Sequence, residues 1–181
     1  MPPPSDTGAQ ESRSKLTQSQ LNAILLRHQA FKKSQPGGMR ANHKMRDLSH
    51  LDLGGIDLSD ADLSGAKLFS AKLVGANLQG ANLYAADLRL ANMEKADLRR
   101  ADLRGACLRG AVLSEAVLVE VDLRDGTLLH YSDGGMREHS FGNGVITSEL
   151  TAANIRGADL SRAKVANAFV MQTAMTDAIF R

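Results

Sequence analysis

The chain has 181 residues, of which 43% are hydrophobic and 4% aromatic, and its 22 Lys/Arg and 20 Asp/Glu give a formal net charge of +2. The sequence has no apolar run of membrane-spanning length and no signal-peptide core, which argues against membrane and secreted proteins. A single cysteine, Cys107, excludes an intramolecular disulfide and fits a reducing compartment. We therefore expect a soluble, cytoplasmic, single-domain protein.

The N-terminal part of the chain, up to Arg46, divides into a tail and a helical cap. Residues 1–15 are polar and proline-rich, which predicts a disordered tail. Residues 16–46 predict a helix and a linker, because Thr17 and Gln20 form a capping box and Leu16 and Leu21 form the matching hydrophobic staple. "SQPGG" ends the helix. The apolar face of this helix consists of Leu21, Ile24, Leu25, His28 and Phe31.

We expect this helix to cover the N-terminal end of the structure that follows, with His28 at the edge of the contact. A target-binding helix is the alternative.

Residues 47–128 repeat with a period of five. Leucine occupies every fifth position from Leu48 to Leu128, with Met93 in the only gap, and alanine lies two residues before it from Ala61 to Ala116. A helix would spread these leucines around its whole surface, and a flat strand would place them alternately on opposite faces. A chain that runs extended for two or three residues and then turns a corner would point them all at one axis. The period alone does not fix the number of sides.

The motifs "ADLSGAKL", "ANLQGANL" and "ADLRRADL" resemble those of the pentapeptide-repeat proteins, and the resemblance covers most of residues 47–181. It implies an all-β solenoid, a right-handed quadrilateral β-helix with four repeats per coil. Counting the repeats then gives about six coils, here with a short N-terminal α-helical cap.

The repeat stops after Leu128 and resumes in a different register at Val145. If these repeats are adjacent in the coil, twelve extra residues form an extruded loop at 129–144, and 145–181 form the C-terminal coils. The loop is either a tolerated insertion or a contact surface on a rigid scaffold. Its candidate partner-binding residues are His130, Tyr131, Met136, Arg137 and Phe141.

The charge changes along the chain, with net values of +6 for residues 1–46, −4 for 47–128 and zero for 129–181. With four sides, residues twenty apart should stack, so that Asp62, Asn82, Asp102 and Asp122 form one column beside Ser64, Tyr84, Arg104 and Arg124. Arginines would then surround the third and fourth coils. The wall candidates for partner binding are Arg99, Arg100, Arg104 and Arg124.

A filled rod offers no pocket for catalysis, so we expect a non-enzymatic protein-interaction module or scaffold, without cofactor or metal. The resemblance also implies an alternative, a DNA-mimicking protein that binds a topoisomerase such as gyrase and confers toxin or quinolone resistance. A purely structural spacer or assembly domain is a third.

We expect a protein partner, and neither a membrane nor a nucleic acid. The apolar C-terminal end predicts a covered surface, with Phe169, Met171, Ile179 and Phe180 as the candidate contacts. Either two copies form a homodimer end to end, or the chain is one part of a longer protein.

Overall fold

The computed structural model describes residues 16–124, 128–132, 135–139, 154–164 and 175–180. Its regular elements are helix α1 (Gln18–Lys32) and two strands, β1 (Leu128–Ser132) and β2 (Gly135–His139). The tail predicted at residues 1–15 lies outside the described ranges. Most of the remaining described chain is one continuous coil.

Parallel pairing between segments four repeats apart builds the coil. Leu63 donates its N–H to the carbonyl of Asn82 at 2.8 Å, and Asn82 donates its own N–H to the carbonyl of Ala61 at 2.9 Å. Since one turn takes four repeats, the coil has four sides. The predicted column is confirmed and runs through Asn42, Asp62, Asn82, Asp102 and Asp122. The total number of coils depends on residues outside the described ranges and stays a prediction.

Each corner of the coil is a β-turn. Ala96 donates its N–H to the carbonyl of Met93 at 3.0 Å, and Lys95, the third residue of this turn, has φ of 57°. A left-handed third position defines a type II turn. The corners therefore favour glycine, and Gly75, with φ of 63°, occupies one of them.

The core is the axis of the coil. The leucine series from Leu48 to Leu123, with Met93, and the alanine series from Ala61 to Ala116 are each at most 1% exposed. The predicted inside and outside assignment is therefore confirmed for these positions. Alanine leaves just enough room for the leucines of adjacent sides to meet at the axis.

Helix α1 begins at the predicted N-cap. Thr17 donates its backbone N–H to Gln20 Oε1 at 3.0 Å, and Gln20 donates its backbone N–H to Thr17 Oγ1 at 3.3 Å. Leu16 and Leu21, the predicted staple, are 4% and 0% exposed. The capping box is thus confirmed, and the apolar side of α1 joins the same core as the leucines of the coil.

Residues 16–32, which comprise α1 and the two residues before it, supply donors to the first coil, whose carbonyls have no preceding coil to pair with. Leu16 donates its N–H to the carbonyl of Asp47 at 3.2 Å, and Gln18 Nε2 donates to the carbonyl of Asp52 at 3.1 Å. The helix therefore replaces part of a missing coil, as an end cap of a solenoid must.

The prediction that His28 lies at the edge of the cap is wrong, because its side chain is 0% exposed. Ala41 donates its N–H to His28 Nδ1 at 3.1 Å, so Nε2 carries the proton and donates to the carbonyl of Ser59 at 3.0 Å. The ring is buried because it is the hydrogen-bond partner of these two backbone groups. Phe31, placed on the same face by the sequence, stacks on His28 but is 42% exposed.

The predicted extrusion contains a hairpin. Its strands β1 and β2 pair antiparallel, with Leu128 opposite His139 and Ser132 opposite Gly135. Leu128, the last leucine of the series that begins at Leu48, therefore lies in strand β1.

The first described residue that pairs with the coil after the hairpin is Asn154, whose partner is Val112. Without an insertion the partner of Val112 would be Ser132, so the insertion is two repeats longer than the predicted twelve residues. Val145, Leu150 and Ile155 all fit the period of five. The period alone therefore does not determine which of them is the first to reach the axis. The predicted boundary at residue 145 lies outside the described ranges.

Candidate protein-binding surface

One side of the coil, here named the arginine wall, carries most of the charged residues that the sequence singles out. Five are basic and three are acidic. Its members are Arg100, Asp102, Arg104, Glu120, Asp122, Arg124, Arg162 and Lys164.

Paired Asp and Arg side chains two residues apart form the centre of this wall. Arg104 binds Asp102 with both ends of its guanidinium, with Nε 2.8 Å from Oδ1 and Nη2 2.6 Å from Oδ2. Arg124 binds Asp122 in the same way, at 2.9 and 2.7 Å. The bond from Arg124 lowers the pKa of the Asp122 carboxyl. The five-residue period puts both members of each pair on the same side, since they straddle one axis leucine.

A second set of ion pairs runs along the corner of the wall, perpendicular to the first. Arg100 Nε lies 2.8 Å from Glu120 Oε2, and Arg162 Nη1 lies 2.8 Å from Glu120 Oε1. The bond from Arg100, followed by the charge of Arg162, lowers the pKa of Glu120. The corner residues of three successive coils are thereby joined.

Each of these arginines contacts a carboxylate in a defined geometry. Arg104 also stacks over the ring of Tyr84, with its guanidinium carbon 5.6 Å from the ring centroid. A shallow cavity of about 450 Å³ opens on the wall. It is lined by Arg100, Ala101, Asp102, Arg104, Glu120, Asp122, Arg162 and Lys164. An acidic partner surface would meet ordered guanidinium groups here and would not have to immobilise them.

The structure separates the remaining candidates. Arg99 pairs with Asp97 on the adjacent side of the coil, and the bond from Arg99 lowers the pKa of Asp97. His130 and Tyr131 lie in β1, opposite Arg137 and Met136 of β2, so the hairpin register brings these four positions together. Phe141, Phe169 and Met171 lie outside the described residues.

The C-terminal candidates in the described part of the chain are accessible, since Ile179 is 38% and Phe180 56% exposed.

The sequence analysis did not identify three residues, Arg162, Lys164 and His43. Arg162 and Lys164 complete the arginine wall, but only the register across the insertion places them beside Glu120. His43 is 0% exposed at the N-terminal end of the axis. The signal for His43 was available, because it lies five residues before Leu48.

Burial, followed by the charges of Arg46 and His28, lowers the pKa of His43 to about 4. Among the residues that the structure describes, no group of three His, Cys, Asp or Glu is placed to hold a metal ion. In the same part of the chain no helix is long and apolar enough to cross a bilayer.

Comparison with known families gives one match. Eight copies of the model described as pentapeptide repeats match between residues 47 and 128, in overlapping segments at 47–78, 61–100, 76–114 and 96–128. No curated protein sequence is significantly similar to the chain.

Several solved structures are similar. A pentapeptide repeat protein, Rfr23, from the cyanobacterium Cyanothece 51142 is 19% identical, with 89% of this chain and 95% of that one covered and a TM-score of 0.42. QnrB1, a plasmid-mediated fluoroquinolone resistance protein, is 18% identical, with 78% and 70% covered and a TM-score of 0.35. A pentapeptide repeat protein from the Arabidopsis thaliana thylakoid lumen is 25% identical, with 82% and 70% covered and a TM-score of 0.29.

Proposed function

Since this chain belongs to the pentapeptide-repeat family, we propose that it is a non-enzymatic protein-interaction module that binds a protein partner through the arginine wall and the 129–144 loop. The observation that carries the proposal is the ordering of the wall. Arg100, Arg104 and Arg124 are each held by a carboxylate and yet remain at the surface. Ordered arginines on a rigid scaffold suit an interface, because little side-chain entropy is lost on binding.

The hairpin of the 129–144 loop follows the wall closely in the sequence. The chain leaves the wall at Arg124 and enters the hairpin at Leu128, so that β1 begins shortly after the wall in the sequence. A partner that covers the end of the wall would therefore lie close to the hairpin as well. Loops that carry aromatic residues on a rigid scaffold are common contact sites.

Capture of partners from a lysate of the source organism tests the proposal, with four baits: the intact chain, a chain lacking residues 129–144, Arg104→Ser and Arg89→Ser. Arg89 is the matched control, because it binds Asp87 and lies 5.6 Å over the ring of Phe69 on a different side of the coil. We expect one partner that the intact chain and Arg89→Ser retain and that the other two baits lose. Identical captures from all four baits would reject the arginine wall and the loop, and would favour a spacer role.

A topoisomerase-binding protein that mimics DNA is the second candidate, and the charge of the arginine wall disfavours it. A DNA mimic needs a strongly negative surface, whereas the arginine wall carries five basic and three acidic residues. The relevant assay is DNA supercoiling by gyrase in the presence of the purified chain. Inhibition or protection at stoichiometric concentration would favour this candidate over the first.

A further inference from the structure

The N-terminal end of the coil is only partly covered by α1. Leu16, Gln18 and His28 provide donors for the carbonyls of Asp47, Asp52 and Ser59, which lie on three sides of the first coil. The fourth side begins with residues 40–45, here named the open edge. These residues connect α1 to the coil and form the first level of the side that later becomes the arginine wall.

The open edge is paired on one flank only. His43 donates its N–H to the carbonyl of Asp62 at 2.7 Å, and Asp62 donates its N–H to the carbonyl of Ala41 at 3.0 Å. Within the described residues, no hydrogen bond reaches the N–H or the carbonyl of Asn42, or the carbonyl of Lys44.

One coil later, the equivalent groups of Asp62 and Ser64 are all paired with residues of the open edge. Three backbone groups with the spacing of a parallel strand therefore face away from the coil, and Asn42 is exposed. Such an edge is a template for strand addition.

The surroundings of the open edge are basic throughout. Residues 16–46 contain six Lys/Arg and no Asp/Glu. Arg40 and Lys44 lie exposed on the edge itself, and Met39 and Met45 beside them are 60% and 42% exposed.

A cleft of about 290 Å³ separates α1 from the first coil and has an arginine on each wall. It is lined by Leu16, Gln20, Ala23, Ile24, Arg27 and Arg46. Basic and apolar groups thus lie next to unpaired backbone.

We propose that the open edge binds an extended, acidic segment of a protein partner, which adds to Asn42 as a parallel strand. The segment would donate to the carbonyls of Asn42 and Lys44 and accept the N–H of Asn42, as in recognition by strand addition. Its carboxylates would face Lys44, Arg46 and Arg27, and its apolar side chains would contact Met39 and Met45. The phosphate groups of a nucleic acid would match the charge but not the two carbonyls, since phosphate oxygens accept hydrogen bonds and cannot donate them.

The test uses the full chain and a fluorescent peptide of alternating aspartate and valine, with a lysine and valine peptide as the charge control. Asn42→Pro removes the free N–H and places a ring where the added strand must approach, while both hydrogen bonds to Asp62 stay possible. Asn42→Ala keeps the N–H and is the matched control. We expect Asn42→Pro to weaken binding of the acidic peptide roughly tenfold or more, the loss of about one hydrogen bond plus a steric block, and Asn42→Ala to weaken it less than about twofold.

Amide hydrogen exchange on the unchanged chain gives a second readout that needs no substitution. The N–H of Asn42 should become protected when the acidic peptide binds, whereas the exposed amides of the coil corners should not change. This measurement decides the question even if Asn42→Pro fails to fold. Protection spread evenly over the basic residues, with none at Asn42, would show a purely electrostatic contact and reject strand addition.

Three results would overturn the proposal. The first is no binding of the acidic peptide, and the second is equal binding by Asn42→Pro and the unchanged chain. The third is a single-stranded oligonucleotide that displaces the peptide and binds Asn42→Pro equally well, which would assign the basic end to nucleic acid. A chain without residues 129–144 should keep its affinity for the peptide. That variant separates this site from the proposed function, which requires the loop.

Discussion

His43 occupies an axis position that leucine holds in the coils above it, at Leu63, Leu83 and Leu103. Its side chain is 0% exposed, and neither ring nitrogen has a hydrogen-bond partner within the described residues. Burial is the main reason that its pKa falls to about 4. The ring is therefore neutral when the protein is folded at neutral pH, and two polar atoms are buried without compensation.

This histidine should make the protein sensitive to mild acid. The unfolded chain binds a proton on His43 near pH 6.5, whereas the folded chain binds it only near pH 4. Stability is thus complete above about pH 6.5 and falls as the pH decreases towards 4, by about 3 kcal/mol in all. We expect His43→Leu to remove this loss and to stabilise the protein at pH 7.5 by about 1 to 3 kcal/mol, because the unpaired nitrogens are gone.

Urea unfolding at pH 7.5 and 4.5 measures both effects as differences between the variant and the unchanged chain. Carboxylates such as Asp97 and Asp122 also destabilise the fold when they are protonated, but they do so equally in both chains. His50→Leu is the control, since it makes the same replacement at an exposed corner position that is not part of the axis. If His43→Leu had the same pH dependence of stability as the unchanged chain, His43 would not be the cause of the acid sensitivity.

Gly75 tests the backbone of the corners without changing any contact. Its φ is 63°, and a Cβ added there would meet nothing within 4 Å. Gly75→Ala should therefore cost only the left-handed strain, about 1 kcal/mol. Val74→Ala, at a neighbouring side chain that is 40% exposed, should stay within about 0.5 kcal/mol of the unchanged chain. Equal unfolding free energies for the two variants would show that the corners tolerate a side chain without strain.

At the scale of elements, α1 is an end cap of the coil. The sequence predicts where this helix begins, but not all of the contacts that its side chains make with the coil. The capping box and the staple depend on residues three to five apart, so local physics was enough to place the start of the helix. The burial of His28 depends on Ser59, 31 residues away, and on Ala41, 13 residues away. No periodicity in the helix carries that information.

His28→Leu should therefore weaken the cap more than its apolar character suggests. The change leaves the N–H of Ala41 and the carbonyl of Ser59 buried without partners, which should cost about 2 to 4 kcal/mol for the two groups. Gln29→Leu makes the same replacement at the next, exposed position and should have little effect. The measurement is the urea unfolding free energy, together with hydrogen exchange of α1. A His28→Leu chain as stable as Gln29→Leu would mean that water or neighbouring groups satisfy the two backbone atoms.

At the scale of the whole molecule, the period of five predicted the axis and the walls because every side repeats the same small unit. Residues such as Leu98 and Ala96 were placed correctly for that reason. The same regularity does not determine which residues before and after the insertion pair with each other, since each repeat after Leu128 has an equivalent candidate for the axis. The position of Arg162 beside Glu120 depends on that register and so could not be predicted from the sequence. Long-range pairing, rather than local preference, decides it.

The C-terminal level of the described coil leaves apolar residues of the axis exposed, which favours association of whole chains. Phe180 follows Leu160 by four repeats and so continues the axis, yet it is 56% exposed, and Ile179 beside it is 38% exposed. Axis residues in the body of the coil are almost fully covered. A second copy stacked end to end would cover both Phe180 side chains, each worth about 1.5 to 3 kcal/mol.

Sedimentation equilibrium over a range of concentrations should therefore show a dimer of the unchanged chain. Phe180→Asp should raise the dissociation constant of this dimer by roughly a hundredfold or more. Leu90→Asp is the matched control, because Leu90 is 55% exposed but lies at a corner in the body of the coil, away from this level. It should leave the dimer unchanged. If Leu90→Asp and Phe180→Asp had the same effect, or the unchanged chain stayed monomeric at all concentrations, the exposed axis would not be an interface between copies.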